Sequence, residues 1–319
     1  ADSCGVSRGD SLEGGLSNLL SDAMEQIEDF FRAGLSTALK LIAVVLLCSL
    51  AQSARAGEED GLQAVTIAGV LAVSALTLTD MTAMIGLGRD TLGRMESFSQ
   101  LLLPVMAVLT AATGGVTGAA VRQSATVLFS QLLLTAIDRL LVPLVYAFAA
   151  ASSAYAAVGN PGLKKTADLL KGAVTFVLTA LLLAFVGYLT ASGAIAGSVD
   201  AAAVKTAKMA ISRAVPVVGG ILADASESVL AGAGALRSTV GAAGLLVVLA
   251  ICLTPFLRLA LQYMVYKGAA ALCATVAQPR LSGLIDAIGS AFGLVLGMTG
   301  AGALVMLVSL VSAIGAVVS

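Results

Sequence analysis

Asp138 and Arg139 stand side by side in an otherwise apolar stretch, residues 124–150. A charge at the centre of a membrane-crossing helix costs about 2.5–3.5 kcal/mol on insertion scales. Chains place such residues where they face a bundle interior, line a watery path or meet one another. Neighbours on a helix point about 100° apart, so this pair cannot neutralise itself fully. Arg258, in the apolar stretch 242–266, is the partner expected for Asp138. Their contact would join the two halves of the chain, as a structural ion pair or as the lining of a conduit. Two further acids, Asp224 and Glu227, interrupt the semi-apolar segment 214–236.

The residue types behind most enzyme chemistry are missing. Histidine is absent, which removes Ser–His and Cys–His nucleophile pairs and the commonest metal ligand. Cys4, Cys48, Cys252 and Cys273 form no CxxC pair, so no metal-ligand cluster is expected. Cys48 and Cys252 read as small packing residues in apolar spans. Gly86-Leu87-Gly88 lacks the remaining glycine of a dinucleotide loop, and no GxxxxGK[ST] phosphate loop occurs. An intramembrane aspartyl protease needs two aspartates in adjacent spans, and only Asp138 is well centred. The expectation is a protein that is not an enzyme and binds no cofactor and no metal.

The elements that carry these residues are apolar. Of 319 residues, 58% are hydrophobic and 12% charged, where soluble domains carry roughly 25% charged residues; mean hydropathy is +0.99. A helix needs about 20 mostly apolar residues to cross roughly 30 Å of hydrocarbon. The pattern predicts an all-α, polytopic transmembrane helix bundle with about six to eight membrane segments. The 34 glycines let helix backbones approach closely in lipid.

Residues 10–32 read as an amphipathic helix, with Leu12, Leu16, Leu19, Leu20, Ile27 and Phe31 opposite Asp22, Glu25, Glu28 and Asp29. Membrane-surface helices usually carry a basic polar face, so this acidic one is expected to meet water or a protein partner. Spans follow at 34–54, with Lys40 near one end, and at 62–79. Residues 86–99 (Arg89, Asp90, Arg94, Glu96) read as an interfacial connector. Further apolar segments are 100–120, 124–150, 173–192, 214–236, 242–266 and 286–317. Breaks fall at Asn160-Pro161-Gly162 and Gln278-Pro279, and Lys164, Lys165, Asp168 and Lys171 mark an amphipathic turn. Residues 199–213 repeat the charged connector. Segments 100–120, with Pro104, Gly114 and Gly115, and 214–236, with Pro216, Gly219 and Gly220, can either span or re-enter. Pro143 and Pro255 are expected to kink or break their helices. Residues 1–60 carry ten acids against four basic residues, and the remainder has no concentrated basic patch, so nucleic acid is not an expected partner.

The two halves echo each other. Pro104-Val105 and Pro216-Val217 each precede a Gly-rich run ending in arginine, Arg122 and Arg237. Pro143 matches Pro255. Pro161 with Asp168 matches Pro279 with Asp286, at offsets of 112 to 118 residues. The division is an acidic segment 1–32, two transmembrane helices in 33–85, and repeat units 86–192 and 193–319. With three crossings per unit the copies would be inverted, a transporter arrangement.

The run Lys208-Met-Ala-Ile-Ser-Arg-Ala-Val-Pro-Val-Val-Gly-Gly220, continuing into Ala223-Asp224-Ala-Ser-Glu-Ser-Val-Leu230, resembles the stage III sporulation protein AE family. Leu103-Pro-Val-Met-Ala-Val-Leu-Thr-Ala-Ala-Thr-Gly-Gly115 and Pro143-Leu-Val-Tyr-Ala-Phe-Ala149 are similar to it as well. The resemblance covers roughly residues 60–319 and is most specific at Pro-Val-Val-Gly-Gly.

What the resemblance implies is a multi-pass protein of the mother-cell membrane around the forespore. It would be a non-enzymatic, homo-oligomeric subunit of a transenvelope, secretion-like channel complex required for endospore development. Its partners would be the other stage III A proteins and, through them, stage II protein Q of the forespore. A removed signal peptide would explain the start at Ala1 and put the acidic segment outside the cytoplasm. The alternative is an autonomous secondary transporter built on inverted repeats.

Overall fold

The computed structural model describes residues 12–54, 59–112, 128–191, 239–276 and 278–318. It contains six long helices: α1 (Leu12–Ala54), α2 (Glu59–Ala112), α3 (Leu128–Val158), α4 (Pro161–Ala191), α5 (Thr239–Ala274) and α6 (Pro279–Val318). No strand occurs among the described residues. Among the described residues, stretches long and apolar enough to cross a membrane lie in α1, α2, α3, α4 and α6.

Two expected boundaries are absent. The acidic segment and the first span are one unbroken helix, α1. The span 62–79, the charged residues 86–99 and the start of the next apolar segment are likewise one helix, α2. Charges at helical spacing mark one face of a continuing helix as readily as a connector. The expected breaks at Asn160-Pro161 and Gln278-Pro279 are real. Gly159 caps α3 in the left-handed conformation at φ 77°, with its N–H donating to the Tyr155 carbonyl. Pro161 and Pro279 open α4 and α6, where a missing N–H costs nothing.

The three helix-to-helix turns among the described residues gather at one end of the bundle. Gln52 of α1 donates to the Thr66 hydroxyl of α2 at 3.1 Å, and that hydroxyl lies 3.3 Å from Gln278 Oε1 before α6. Ser49 donates to the Val276 carbonyl at 3.1 Å. The Arg280 guanidinium lies against Gly159, a cation at the negative end of α3. From this end α2, α4 and α6 run in one direction and α1, α3 and α5 in the other. Lys171 of α4 therefore meets Ser290 of α6, each about ten residues (about 15 Å) beyond its turn. The segments matched by the repeat lie on α3 with α4 and on α5 with α6. These two hairpins run in the same sense; segment 214–236, which the expected inverted relation also needs, falls outside the described residues.

The axis of the bundle is α6. Its apolar window is 89% buried, against 22–39% for the other candidate spans. It packs on α5 most extensively, then on α2, α3 and α4. Small residues make this possible. Gly289 and Gly293, four residues apart, lie against Tyr266 and Tyr263 of α5, and Gly88 of α2 lies against Val295 of α6. The outer surfaces carry exposed Leu47, Leu50, Leu71, Leu169, Phe176 and Leu183, which suits lipid as the surrounding solvent.

Gly159→Ala is expected to destabilise the protein by about 1–2 kcal/mol, because an L side chain in this conformation is strained and its Cβ would collide with Arg280. The check is thermal melting in detergent, with a fall of several degrees expected (roughly 4 °C or more).

Candidate functional site

Asp138 and Arg139 lie in a π-helical turn, Ile137–Leu141, inside α3. Pro143 accounts for it. Proline cannot donate to the carbonyl four residues back, and its ring crowds that carbonyl, so the preceding turn widens and the Val142 N–H bonds to Ile137 instead. Pro143 thus reshapes the helix without breaking it. Pro255 sits inside continuous α5 and Pro104 inside continuous α2. Gly114, Gly115, Pro216, Gly219, Gly220, Asp224 and Glu227 fall outside the described residues.

Asp138 is not partnered by Arg258. Its carboxylate pairs with Arg89 of α2 at 2.5 Å, and both side chains are about half exposed (50% and 53%). The pair borders a polar cavity of 480 Å³ that also touches Glu96, Gln131, Thr135 and Arg139. Asp138 lies about 31 Å along α3 from Gly159, a distance comparable to the whole of a roughly 30 Å crossing. Arg258 instead covers the Phe30 ring at 4.8 Å, a cation–π contact joining α5 to α1. Both partners, Arg89 and Phe30, stand on helices that the expected contact between α3 and α5 left out. A double-mutant cycle should therefore give coupling of under about 1 kcal/mol between Asp138 and Arg89 and none between Asp138 and Arg258. Chemical denaturation of Asp138→Asn, Arg89→Gln, Arg258→Gln and the two double variants measures both.

A second polar constellation ties four helices together. Asp80 of α2 accepts hydrogen bonds from Tyr266 Oη at 2.9 Å and Gln262 Nε2 at 3.1 Å, both on α5. Tyr266 is fully buried and meets Phe292 of α6 edge-on at 4.8 Å. The next residue, Lys267, points to the other side. Its Nζ donates to Asp286 Oδ1 at 2.7 Å and to Ser290 Oγ at 2.9 Å, both on α6. Lys171 of α4 donates to the same Ser290 hydroxyl at 3.3 Å. Asp80 had gone unnoticed because it ends the apolar run 62–79 and reads as a boundary. Its signal was a lone carboxylate in an apolar helix, the same signal that drew attention to Asp138. In the sequence Lys171 marks an amphipathic turn and Asp286 a position of the repeat, and neither points to the other.

Ser290 beside two amines has the pairing that a Ser–Lys nucleophile uses. It is 1% exposed and lies within continuous α6. There the neighbouring backbone N–H groups are engaged within the helix and cannot stabilise an oxyanion. Among the described residues no group of three His, Cys, Asp or Glu is placed to hold a metal. The arrangement clamps helices and concentrates charge.

Long apolar helices packed around one buried axis, with leucine and phenylalanine outside, define a multi-pass membrane protein. The sequence profile described as Stage III sporulation protein AE matches residues 8–317, and the chain belongs to that family. It is 26% identical over 197 residues to Stage III sporulation protein AE of Bacillus subtilis (strain 168). That alignment takes in 62% of this chain and 49% of the relative, so the match spans about half of the relative's length. No solved structure matches the chain.

Proposed function

We propose that this sporulation-family membrane protein is a non-enzymatic subunit of a transenvelope channel or secretion-like complex between mother cell and forespore. The observation that carries the reading is the family match across residues 8–317. The shape of α1 and α2 supports it. Helix α1 begins at Leu12, and Glu13, Asp22, Glu25, Glu28 and Asp29 precede its apolar run, so an acidic stretch of helix leads into the expected crossing. Arg89, Asp90, Arg94 and Glu96 of α2 lie toward the same end, opposite the turns. That end would meet the other stage III A proteins and, through them, stage II protein Q. With the N-terminal segment outside the cytoplasm, the three turns face the cytoplasm of the mother cell. An autonomous transporter would enclose a polar site at mid-membrane. The polar cavity here is open and bordered by half-exposed side chains, and Arg258 takes no part in it.

The test is deletion of the gene in its own host, with counts of heat-resistant spores and affinity capture of the tagged chain from sporulating cells. The reading requires spore formation to fail, restoration by the wild-type chain, and capture of other stage III A proteins. Normal spore counts in the deletion, or capture of the chain alone, would contradict it.

A further inference from the structure

Three lines of polar and small residues run from the turns into the bundle and meet at one hydroxyl. On α4 they are Lys164, Asp168 and Lys171, at the four- and three-residue spacing that keeps to one face of a helix. On α6 Gly283 and Asp286 are exposed, and Ser290, the next residue on that line, is 1% exposed. On α5 Lys267 stands one turn from the exposed Ala271. Ser290 Oγ receives hydrogen bonds from Lys171 at 3.3 Å and from Lys267 at 2.9 Å. Lys267 also pairs with Asp286 at 2.7 Å, and Asp168 and Asp286 both attract the Lys171 charge. Two lysines and two aspartates make the cluster neutral.

The cluster lies deep. Lys171 is ten residues past Pro161 and Ser290 eleven past Pro279, about 15 Å along each helix and half of a crossing roughly 30 Å thick. Beyond it neither α4 nor α6 carries another charge. It is nevertheless open at the surface. The Asp286 side chain is 53% exposed and that of Lys267 28%, and a Cβ added at Gly283 would meet nothing within 4 Å. A lysine stem can carry its charge to the membrane boundary, but Lys267 is held by Asp286 and Ser290, and aspartate has no stem to extend. Charges at this depth face a bundle interior or water and not lipid. The seam is a surface of the described helices, so it forms one side of what it faces.

We propose that this seam is one wall of a water-filled passage running from the side of the turns to Ser290, half-way across the membrane. The inference rests on the reading of the chain as a subunit of a larger complex, since the facing wall comes from a neighbouring subunit. Water hydrates the open sides of Asp286 and Lys267, and buried Ser290 with the Lys171 ammonium closes the inner end. The balanced charges lack the ring of one sign by which pores select an ion, so the wall suits water and small polar solutes.

Cysteine accessibility in membranes of sporulating cells tests the proposal, with the native cysteines replaced and a charged, membrane-impermeant methanethiosulfonate as probe. Gly283→Cys and Ala271→Cys place thiols on the seam. Phe176→Cys is the lipid-facing control, since Phe176 is 73% exposed and turned about 140° from Lys171 on α4. Both seam thiols should react from the side on which Asn160→Cys reacts, about tenfold or more faster than Phe176→Cys, because the thiolate is the reacting form and an apolar setting suppresses it. Reaction no faster than the control, or from the opposite side, would overturn the proposal. So would thiols that react in detergent and are protected in the membrane, which would mark a seam covered by lipid or by a protein helix. Unreactive seam thiols in cells from which other stage III A proteins are still captured would defeat the passage and leave membership of the complex standing. Should Gly283→Cys not accumulate in the membrane, Ala271→Cys decides.

Discussion

Gly289→Leu is expected to dismantle the bundle, destabilising it by about 3 kcal/mol or more. Gly289 stands where α6 presses most closely on α5. Its added Cβ would come within 3.1 Å of Tyr266 Cβ and 3.4 Å of the Lys267 backbone nitrogen. Neither neighbour is the free end of a flexible side chain, so relief requires the helices to part. Three more heavy atoms would then have to enter the most extensive helix contact in the molecule. Gly289→Ala, carrying only the Cβ, should lose about 1 kcal/mol. Gly283→Ala, on the same helix with open space around it, should melt at or above the wild-type temperature, since alanine favours helix by about 1 kcal/mol. Thermal melting in detergent and the yield of monodisperse protein give the ranking. A Gly289→Leu protein that melts like the wild type would mean that α5 and α6 do not meet here.

Asp80→Ala is the second large effect. The substitution leaves the Tyr266 hydroxyl, on a residue with no exposed surface, without its acceptor, and it also strands Gln262. A buried donor without a partner costs about 1–3 kcal/mol, so a combined loss of about 2–4 kcal/mol is expected. Asp80→Asn keeps a carbonyl acceptor and should lose less than half as much. The diagnostic is the pair Asp80→Ala/Tyr266→Phe. Removing the stranded hydroxyl should return part of the stability, so the double variant should be more stable than the sum of its singles predicts. Additive losses would show that the hydroxyl and the carboxylate do not interact.

The class of the protein was legible because hydropathy reports the solvent a helix needs. Both sharp turns were legible because proline and glycine punctuate the chain at Asn160-Pro161-Gly162 and Gln278-Pro279. Depth and neighbours were not. Asp138 stood out as a charge in an apolar run, but its partner Arg89 was assigned to a connector. Nothing in a one-dimensional pattern separates a charged connector from a helix that continues through its charges. The central position of α6 was equally hidden, since lipid-facing and core-facing helices are both apolar. Its trace in the sequence is the spacing of Gly289 and Gly293, which an overall glycine count dilutes. The polar constellation was missed because its members are distributed one or two to a helix, over α2, α4, α5 and α6.

The central claim is a membrane bundle in which α2, α4 and α6 leave a common end and the three described turns lie on one side. Site-directed labelling tests it most directly. Cys4, Cys48, Cys252 and Cys273 are first replaced by alanine or serine. Then Asn160→Cys, Gln278→Cys and Ser53→Cys are made one at a time and treated, in intact cells and in inverted vesicles, with a membrane-impermeant maleimide. The account predicts that all three sites react from the same side of the membrane and are protected on the other. Labelling of Asn160→Cys and Gln278→Cys from opposite sides would contradict it.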